Sequence, residues 1–326
     1  MKEQSHALHV LVTGGAGFIG SHVVDAYLRA GHRVTVVDSL ASGKMANLDA
    51  RVQFFQDDIR SASLDAIFRQ GRFDLINHQA AHIDLRRSVE FPWHDAEVNI
   101  LGTLNLLESA CRYGVKRIIY ASTGGAIYGN SGPYPTPESH PAHPLSPYGV
   151  AKLTAEHYLQ YYQAVHGLRS VTLRYANVYG PRQDPHGEAG VVAIFIGRLL
   201  HGDQPVIFGD GGQTRDFVFV GDVARANVLA LDHLMKDAGD AGAIVVNVGT
   251  GHELSVNELY GMLKKITPNG LDPNYAPAKL GEQLRSAIDP SLAKRILDWE
   301  PVVPVEEGLR ETWDWFANSR ESRVES

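Results

Sequence analysis

Cysteine is almost missing: Cys111 is the only one in 326 residues. No internal disulfide and no cysteine-built zinc site can form, and a reducing compartment, the cytoplasm, is the expected location. Long apolar runs are missing too. No segment approaches the ~20 apolar residues that span a bilayer, and the opening "MKEQSHALHVLVTGG" has too short an apolar stretch for a secretory signal. Positive charge is in the minority, with 30 Lys and Arg against 37 Asp and Glu and a net charge of -7 with histidine neutral. Such a surface attracts neither nucleic acid nor anionic membrane as a whole. There is no Asn-x-Ser/Thr acceptor, internal repeat or low-complexity tract. What is present is globular, since 44% hydrophobic and 21% charged residues exclude disordered and fibrous classes. The length suits one large α/β unit or two domains.

Short apolar runs alternate with segments of helical length: "LHVLVTG", "RVTVVD", "VQFFQ", "FDLINHQAA", "KRIIYAS" and "RSVTLRYAN". Strands without polar alternation are buried on both faces, so the pattern predicts an α/β fold, a Rossmann-type doubly wound parallel sheet. Val98, Leu101, Leu104, Leu107 and Ala110 recur at helical spacing before Gly114 and predict one helix there. Six prolines between Pro133 and Pro147 demand an ordered loop. Ser146 then offers an N-cap and Pro147 a first helical residue for a helix through Val165. Beyond Asn177 the rhythm loosens, which predicts a smaller, interleaved α/β substrate domain. The expected division is 1–176, with 216–250 returning to it, against 177–215 and 251–326.

The segment "LVTGGAGFIGSHVV" places Gly14, Gly17 and Gly20 between the first strand and the first helix. Glycines there let the backbone approach a pyrophosphate, and the helix start at Phe18 and Ile19 supplies amide donors and a positive dipole end. The second strand ends in Asp38, followed by Ser39. A carboxylate at that point accepts from ribose hydroxyls and repels a 2′-phosphate, so NAD is expected over NADP. Asp58, followed by Ile59, is a candidate for the adenine, or simply caps a helix.

Tyr148 and Lys152 in "YGVAK" lie one helical turn apart and share a face. Lowering a phenol from ~10 by ~3 units takes about 4 kcal/mol. One cation at ~4 Å in an effective dielectric of ~20 supplies roughly that much. Lys152, helped by the positive charge of an oxidised nicotinamide, is therefore a sufficient partner for an acid-base phenol, and Ser122 and Thr123 end the preceding strand close by in the fold.

Together, "TGGAGFIG", Asp38, the Ser122-Thr123 pair, "YGVAK" and "RYANVYGPRQ" resemble the extended short-chain dehydrogenase/reductases, within the NAD-dependent epimerase/dehydratase family, along nearly the whole chain. Most similar are the members that epimerise UDP-glucose and UDP-galactose at C4 through a transient 4-keto sugar. The resemblance implies Tyr148 as base, with Lys152 tuning it and holding the nicotinamide ribose. It gives Thr123 the hydrogen bond to the sugar 4-oxygen, with Ser122 beside it. "STGGAIYG" is one residue longer than the usual family spacing, so either hydroxyl could serve. Ala80, Ala81, His82 and Asn99 would border the cofactor, and Tyr175 would flank the nicotinamide.

Relatives that dehydrate the sugar keep an acidic residue directly after the hydroxyl, where this chain has Gly124. Glycine transfers no proton, so epimerisation is expected. By the same matching Asn177, Arg215, Lys279 and Arg285 would contact the sugar diphosphate, and Val206 and Phe208 would pack on uracil. Ser286 falls where side-chain bulk limits the sugar pocket, and its small size implies room for an N-acetylhexosamine. A homodimer through helices containing Leu101 to Leu107 and Lys152 to Tyr162 is likewise implied. No metal is expected, and His82, His140, His143, His186 and the other histidines read as loop or surface residues. Two alternatives stay open: another nucleotide-sugar epimerase or reductase, such as one for UDP-glucuronate or a UDP-N-acetylhexosamine, and a catalytically silent NAD-binding scaffold.

Overall fold

The computed structural model describes residues 7–130, 132–185, 190–236, 242–268, 270–278 and 283–324. The chain begins with β1 (His9–Thr13), α1 (Phe18–Arg29), β2 (Arg33–Asp38), β3 (Gln53–Gln56), α2 (Leu64–Gly71) and β4 (Leu75–His78). It continues through α3 (Leu85–Glu90), α4 (Pro92–Ala96), a π turn (Glu97–Leu101), α5 (Gly102–Arg112) and β5 (Arg117–Thr123). After α6 (Gly124–Ile127) come α7 (Pro147–His166), β6 (Arg169–Tyr175), β7 (Asn177–Tyr179), α8 (Val191–His201), β8 (Val206–Phe208), β9 (Thr214–Arg215) and β10 (Phe217–Phe219). The last elements are α9 (Val220–Met235), β11 (Ile244–Val248), β12 (Leu254–Ser255), α10 (Val256–Ile266), β13 (Asn274–Ala276), α11 (Ser291–Leu297) and α12 (Val305–Val324).

Seven strands form one sheet in the order β11-β6-β5-β4-β1-β2-β3. β1 pairs in parallel with β2 on one side and β4 on the other, β2 with β3, and β4 with β5. This is the doubly wound sheet that the apolar runs predict. Every residue of β1 is buried and Val10, Leu11 and Val12 are wholly so, because helices cover both faces of a parallel sheet. The strand order reverses beside β1, which leaves a crevice at the carboxyl ends of β1 and β4.

By internal contacts the chain divides into two compact units: residues 1–123, 144–174 and 224–246, and residues 124–143, 175–223 and 247–326. Within the first, α7 starts where the sequence says it should. The Ser146 hydroxyl accepts from Gly149 N at 3.1 Å, Pro147 opens the helix, and Gly167 ends it in the left-handed region. Within the second, α10 carries a complete capping box between Ser255 and Glu258, and buried Trp299 donates to the Asp222 carbonyl at 2.9 Å.

Two expectations are corrected. The run before Gly114 is not one uniform helix, because the π turn at Glu97–Leu101 inserts an extra residue ahead of α5. The stripe is thrown out of register: Leu107 and Ala110 are buried, but Leu101 is exposed and Asn99 lies inside. The histidines also differ from a uniform loop or surface reading. His9 and His78 are buried within strands β1 and β4, and His32 is buried just ahead of β2. His186 lies outside the described residues.

Candidate active site

The turn after β1 is built for close approach. Gly14 has a φ of +70°, and a Cβ there would fall 2.5 Å from Ala80 N. A Cβ on Gly20 would stand 2.1 Å from the Gly14 carbonyl oxygen, so only glycine lets α1 come this near the turn. Gly17 is the N-cap of α1 and offers no side-chain acceptor, which leaves the first amides, at Phe18 and Ile19, to an incoming anion. Asp38 is buried and accepts from Ala16 N at 2.9 Å and Leu40 N at 2.8 Å. An ionised carboxylate has about four acceptor positions, so two remain for ribose hydroxyls. A cradle with no room for a Cβ, uncapped amides and a fixed carboxylate fit a dinucleotide without a 2′-phosphate.

The remaining candidate cofactor residues of this unit follow strands β2, β3 and β4 or sit at the π turn. Ser39 is exposed after β2. Asp58 is held by Arg60 in a bidentate pair at 2.9 and 2.8 Å, which lowers its carboxyl below the usual range, while Ile59 packs into the core. Ala80, Ala81 and His82 are half-buried after β4. Asn99 grips that segment twice: its Oδ1 accepts from His82 N and its Nδ2 donates to the His82 carbonyl, each at 2.9 Å.

At the end of β5 the two hydroxyls diverge. Ser122 is buried and donates to Glu156 Oε1 at 2.6 Å, and Arg174 grips the same carboxylate at 3.0 and 2.5 Å. Thr123, next along, is half-buried at the strand's tip. Lys152 is buried, donates to the Ala121 carbonyl at 2.8 Å, and stands 4.8 Å from the Tyr120 ring centroid and 5.9 Å from that of Tyr148. Burial lowers the Lys152 ammonium to about 8, with the carboxylates of Asp95 and Glu156 opposing it. Burial pushes the Tyr148 phenol well above its ordinary value, and Asp95 adds to that. The pair therefore starts from a steeper demand than a solvent-exposed phenol would make.

Sequence reasoning missed several groups. Glu156 follows Lys152 by one turn on the same face, and that spacing was the available signal. Nothing local marked Asp95, Arg174 or the buried chain at His78. There Thr103 gives its proton to the Asn99 carbonyl at 2.8 Å, so it accepts from His78 Nε2 at 3.0 Å, and His78 Nδ1 accepts from Thr13 at 2.8 Å. Burial holds His78 neutral, at about 3.

The second unit carries the other candidates. Tyr175 is buried. Gly124 is buried as well, and a Cβ on it would meet Ile288 Cδ1 at 2.7 Å. Val206 and Phe208 are half-buried on one face of β8 while Ile207 faces inward. Asn177 donates its backbone N–H to the Asp216 carbonyl at 2.9 Å, and Arg215 donates to the carbonyl of Thr214 at 2.8 Å. Arg285 is exposed, paired with both oxygens of Glu253 and stacked 4.7 Å from the Tyr134 ring centroid. Ser286 is buried beside it. Lys279 lies outside the described residues.

The family model for the NAD dependent epimerase/dehydratase family matches residues 10–249. The chain belongs to that family. Its similarity to UDP-glucose 4-epimerase of Mycolicibacterium smegmatis is 42% identity, over 95% of this chain and 99% of the relative. A crystal structure of UDP-glucose 4-epimerase from Thermotoga maritima with UDP-glucose superposes at a TM-score of 0.91 and 47% identity, covering 96% of this chain and all of that one. The Thermus thermophilus UDP-glucose 4-epimerase complex with NAD gives 0.87 and 44%, covering 95% and 99%. As a family member the protein uses NAD, and among its described residues no helix is long and apolar enough to cross a membrane.

Proposed function

We propose that this chain is an isomerase that interconverts UDP-glucose and UDP-galactose by NAD-dependent epimerisation at C4. The observation that carries this reading is the arrangement along β5 and α7. Thr123 ends the strand whose Ala121 carbonyl fixes Lys152, and Lys152 stands beside the Tyr148 ring. Tyr148 takes the proton of the sugar 4-hydroxyl, Thr123 donates to the 4-oxygen, and Lys152 stabilises the phenolate and holds the nicotinamide ribose. Bound NAD supplies a hydride acceptor that is regenerated within each cycle. The 4-keto sugar turns between the two transfers, so affinity resides in the UDP portion and the hexose is held loosely.

Arg215, Asn177, Arg285 and Lys279 are assigned to the diphosphate, and Val206 with Phe208 to uracil. Gly124 supports epimerisation over dehydration, since an acidic side chain there would collide with Ile288 at its first carbon. The small Ser286 supports acceptance of N-acetylhexosamines. Cytoplasmic location and a homodimer complete the reading. The dimer is supported by Leu101, Val150 and Tyr161, all exposed on the π turn and α7.

The test is incubation of the purified protein with UDP-galactose and no added NAD, with UDP-glucose as the expected product. A requirement for stoichiometric NADH would point to net reduction, and no reaction with any UDP-sugar would point to a silent scaffold. Turnover of UDP-N-acetylglucosamine beside UDP-glucose tests the Ser286 assignment.

A further inference from the structure

Asp95 is a carboxylate at the carboxyl-terminal end of α4 with 1% of its surface exposed. Burying a carboxylate costs several kcal/mol unless partners repay it, and Asp95 has only part of a set. Its Oδ1 accepts from Asn99 Nδ2 at 2.9 Å and from His82 Nδ1 at 3.3 Å. Among the described residues its Oδ2 is buried with no hydrogen-bond partner, and no lysine or arginine lies within ion-pair reach of it. α4 packs on α7, and Asp95 lines a cavity of about 540 Å³ together with Ala96, Ile100, Leu145, Pro147 and Ala151. Asp95 thus shares this cavity with the first turn of the helix that carries Tyr148 and Lys152.

The groups around that pair can be named element by element. β4 contributes His78 and the segment after it His82, whose ring lies 5.4 Å from that of His94. β5 contributes Tyr120, and α7 contributes Glu156, already neutralised by Arg174 of β6. Of the two carboxylates that act on Lys152, Glu156 is matched by a guanidinium and Asp95 is not.

We propose that Asp95 is a positioning residue for the epimerisation, one oxygen locking the Asn99–His82 clasp and the other presenting an unmatched negative charge to Tyr148 and Lys152. That charge keeps Lys152 protonated against the cost of burial, and it withholds the phenolate until a second positive charge enters the site. The sign is fixed: removing one anion lowers the pKa of every acid near it. A neutral side chain therefore moves both midpoints the same way, to lower pH. A packing defect would scale activity down and leave the midpoints in place.

This inference rests on the proposed roles of Tyr148 and Lys152, so the experiment has a readout independent of turnover. Asp95→Asn is nearly isosteric and retains an oxygen for Asn99 and His82. Its tyrosinate absorbance is titrated against that of Tyr148→Phe to isolate the Tyr148 phenol, and the pH profile of kcat/KM is measured alongside. The expected result is a Tyr148 midpoint lower by roughly one unit, with both limbs of the profile displaced in the same direction. Asp95→Ser, neutral but smaller, gives the same displacement, and Asp95→Glu gives none. Unmoved midpoints in both neutral variants overturn the proposal even where activity falls. If the midpoints move but Tyr148→Phe retains full activity, the catalytic assignment fails instead.

Discussion

Ser122 donates to Glu156 Oε1 at 2.6 Å inside the fold, while Thr123, one residue later, stands at the strand's tip. Consecutive residues on a strand point to opposite faces, so the proposed hydrogen bond to the sugar 4-oxygen is assigned to Thr123 alone. Thr123→Val is expected to lower kcat about 100-fold, the usual cost of one transition-state hydrogen bond. Ser122→Ala should leave kcat near the parent's and cost about 1–3 kcal/mol of stability, because a buried carboxylate loses a donor. Steady-state kinetics beside urea unfolding separate the two.

The lysine carries a pH dependence with a definite sign. Burial brings Lys152 to about 8 in the folded protein, below the ordinary lysine value of 10.5. Below pH 8 both folded and unfolded chains hold the proton, and the full cost of burying a cation is present. Between about 8 and 10.5 the folded chain sheds it first, so this group's cost fades and stability rises by up to about 3 kcal/mol. Activity should run the other way, falling as the ammonium is lost. Lys152→Met is expected to abolish turnover and to flatten the pH dependence of unfolding in that window.

Gly124 should tolerate no side chain. Gly124→Glu is expected to destabilise by about 1–3 kcal/mol through overpacking against Ile288 and to yield no dehydrated sugar. Mass spectrometry of the nucleotide-sugar products checks the second point and thermal unfolding the first.

Arg285 is exposed and held by Glu253 over the Tyr134 ring. Exposed pairs contribute about 0–1 kcal/mol, so Arg285→Ala should scarcely alter the melting temperature. If the guanidinium serves the diphosphate, KM for the UDP-sugar rises about tenfold while kcat holds. An unchanged KM would remove Arg285 from the substrate site.

The sheet was legible in the sequence because a strand buried on both faces has no polar alternation to conceal it, as β1 and β2 illustrate. α7 was legible because Ser146, Pro147 and Gly167 each leave a local mark. The buried ionic groups were not. Asp95 and Glu156 sit in helices, where an acidic residue ordinarily faces water, and only the strand and helix behind them decide otherwise. His78 went unrecognised for a related reason: its two threonine partners, Thr13 and Thr103, are distant in sequence and meet it only through the fold. Arg285 was visible as a cation, but its partner Glu253 is 32 positions away.

The π turn at Glu97–Leu101 has a consequence for anyone regularising this chain. Excising one residue there would thread α4 and α5 into a single even rod with better backbone hydrogen bonding. It would also swivel whatever lies past the cut by about 100°, and the Asn99 carboxamide would come off both His82 and Asp95. The rod would be tidier, but Leu107 and Ala110 would swing out of the core and the site would have lost its aim.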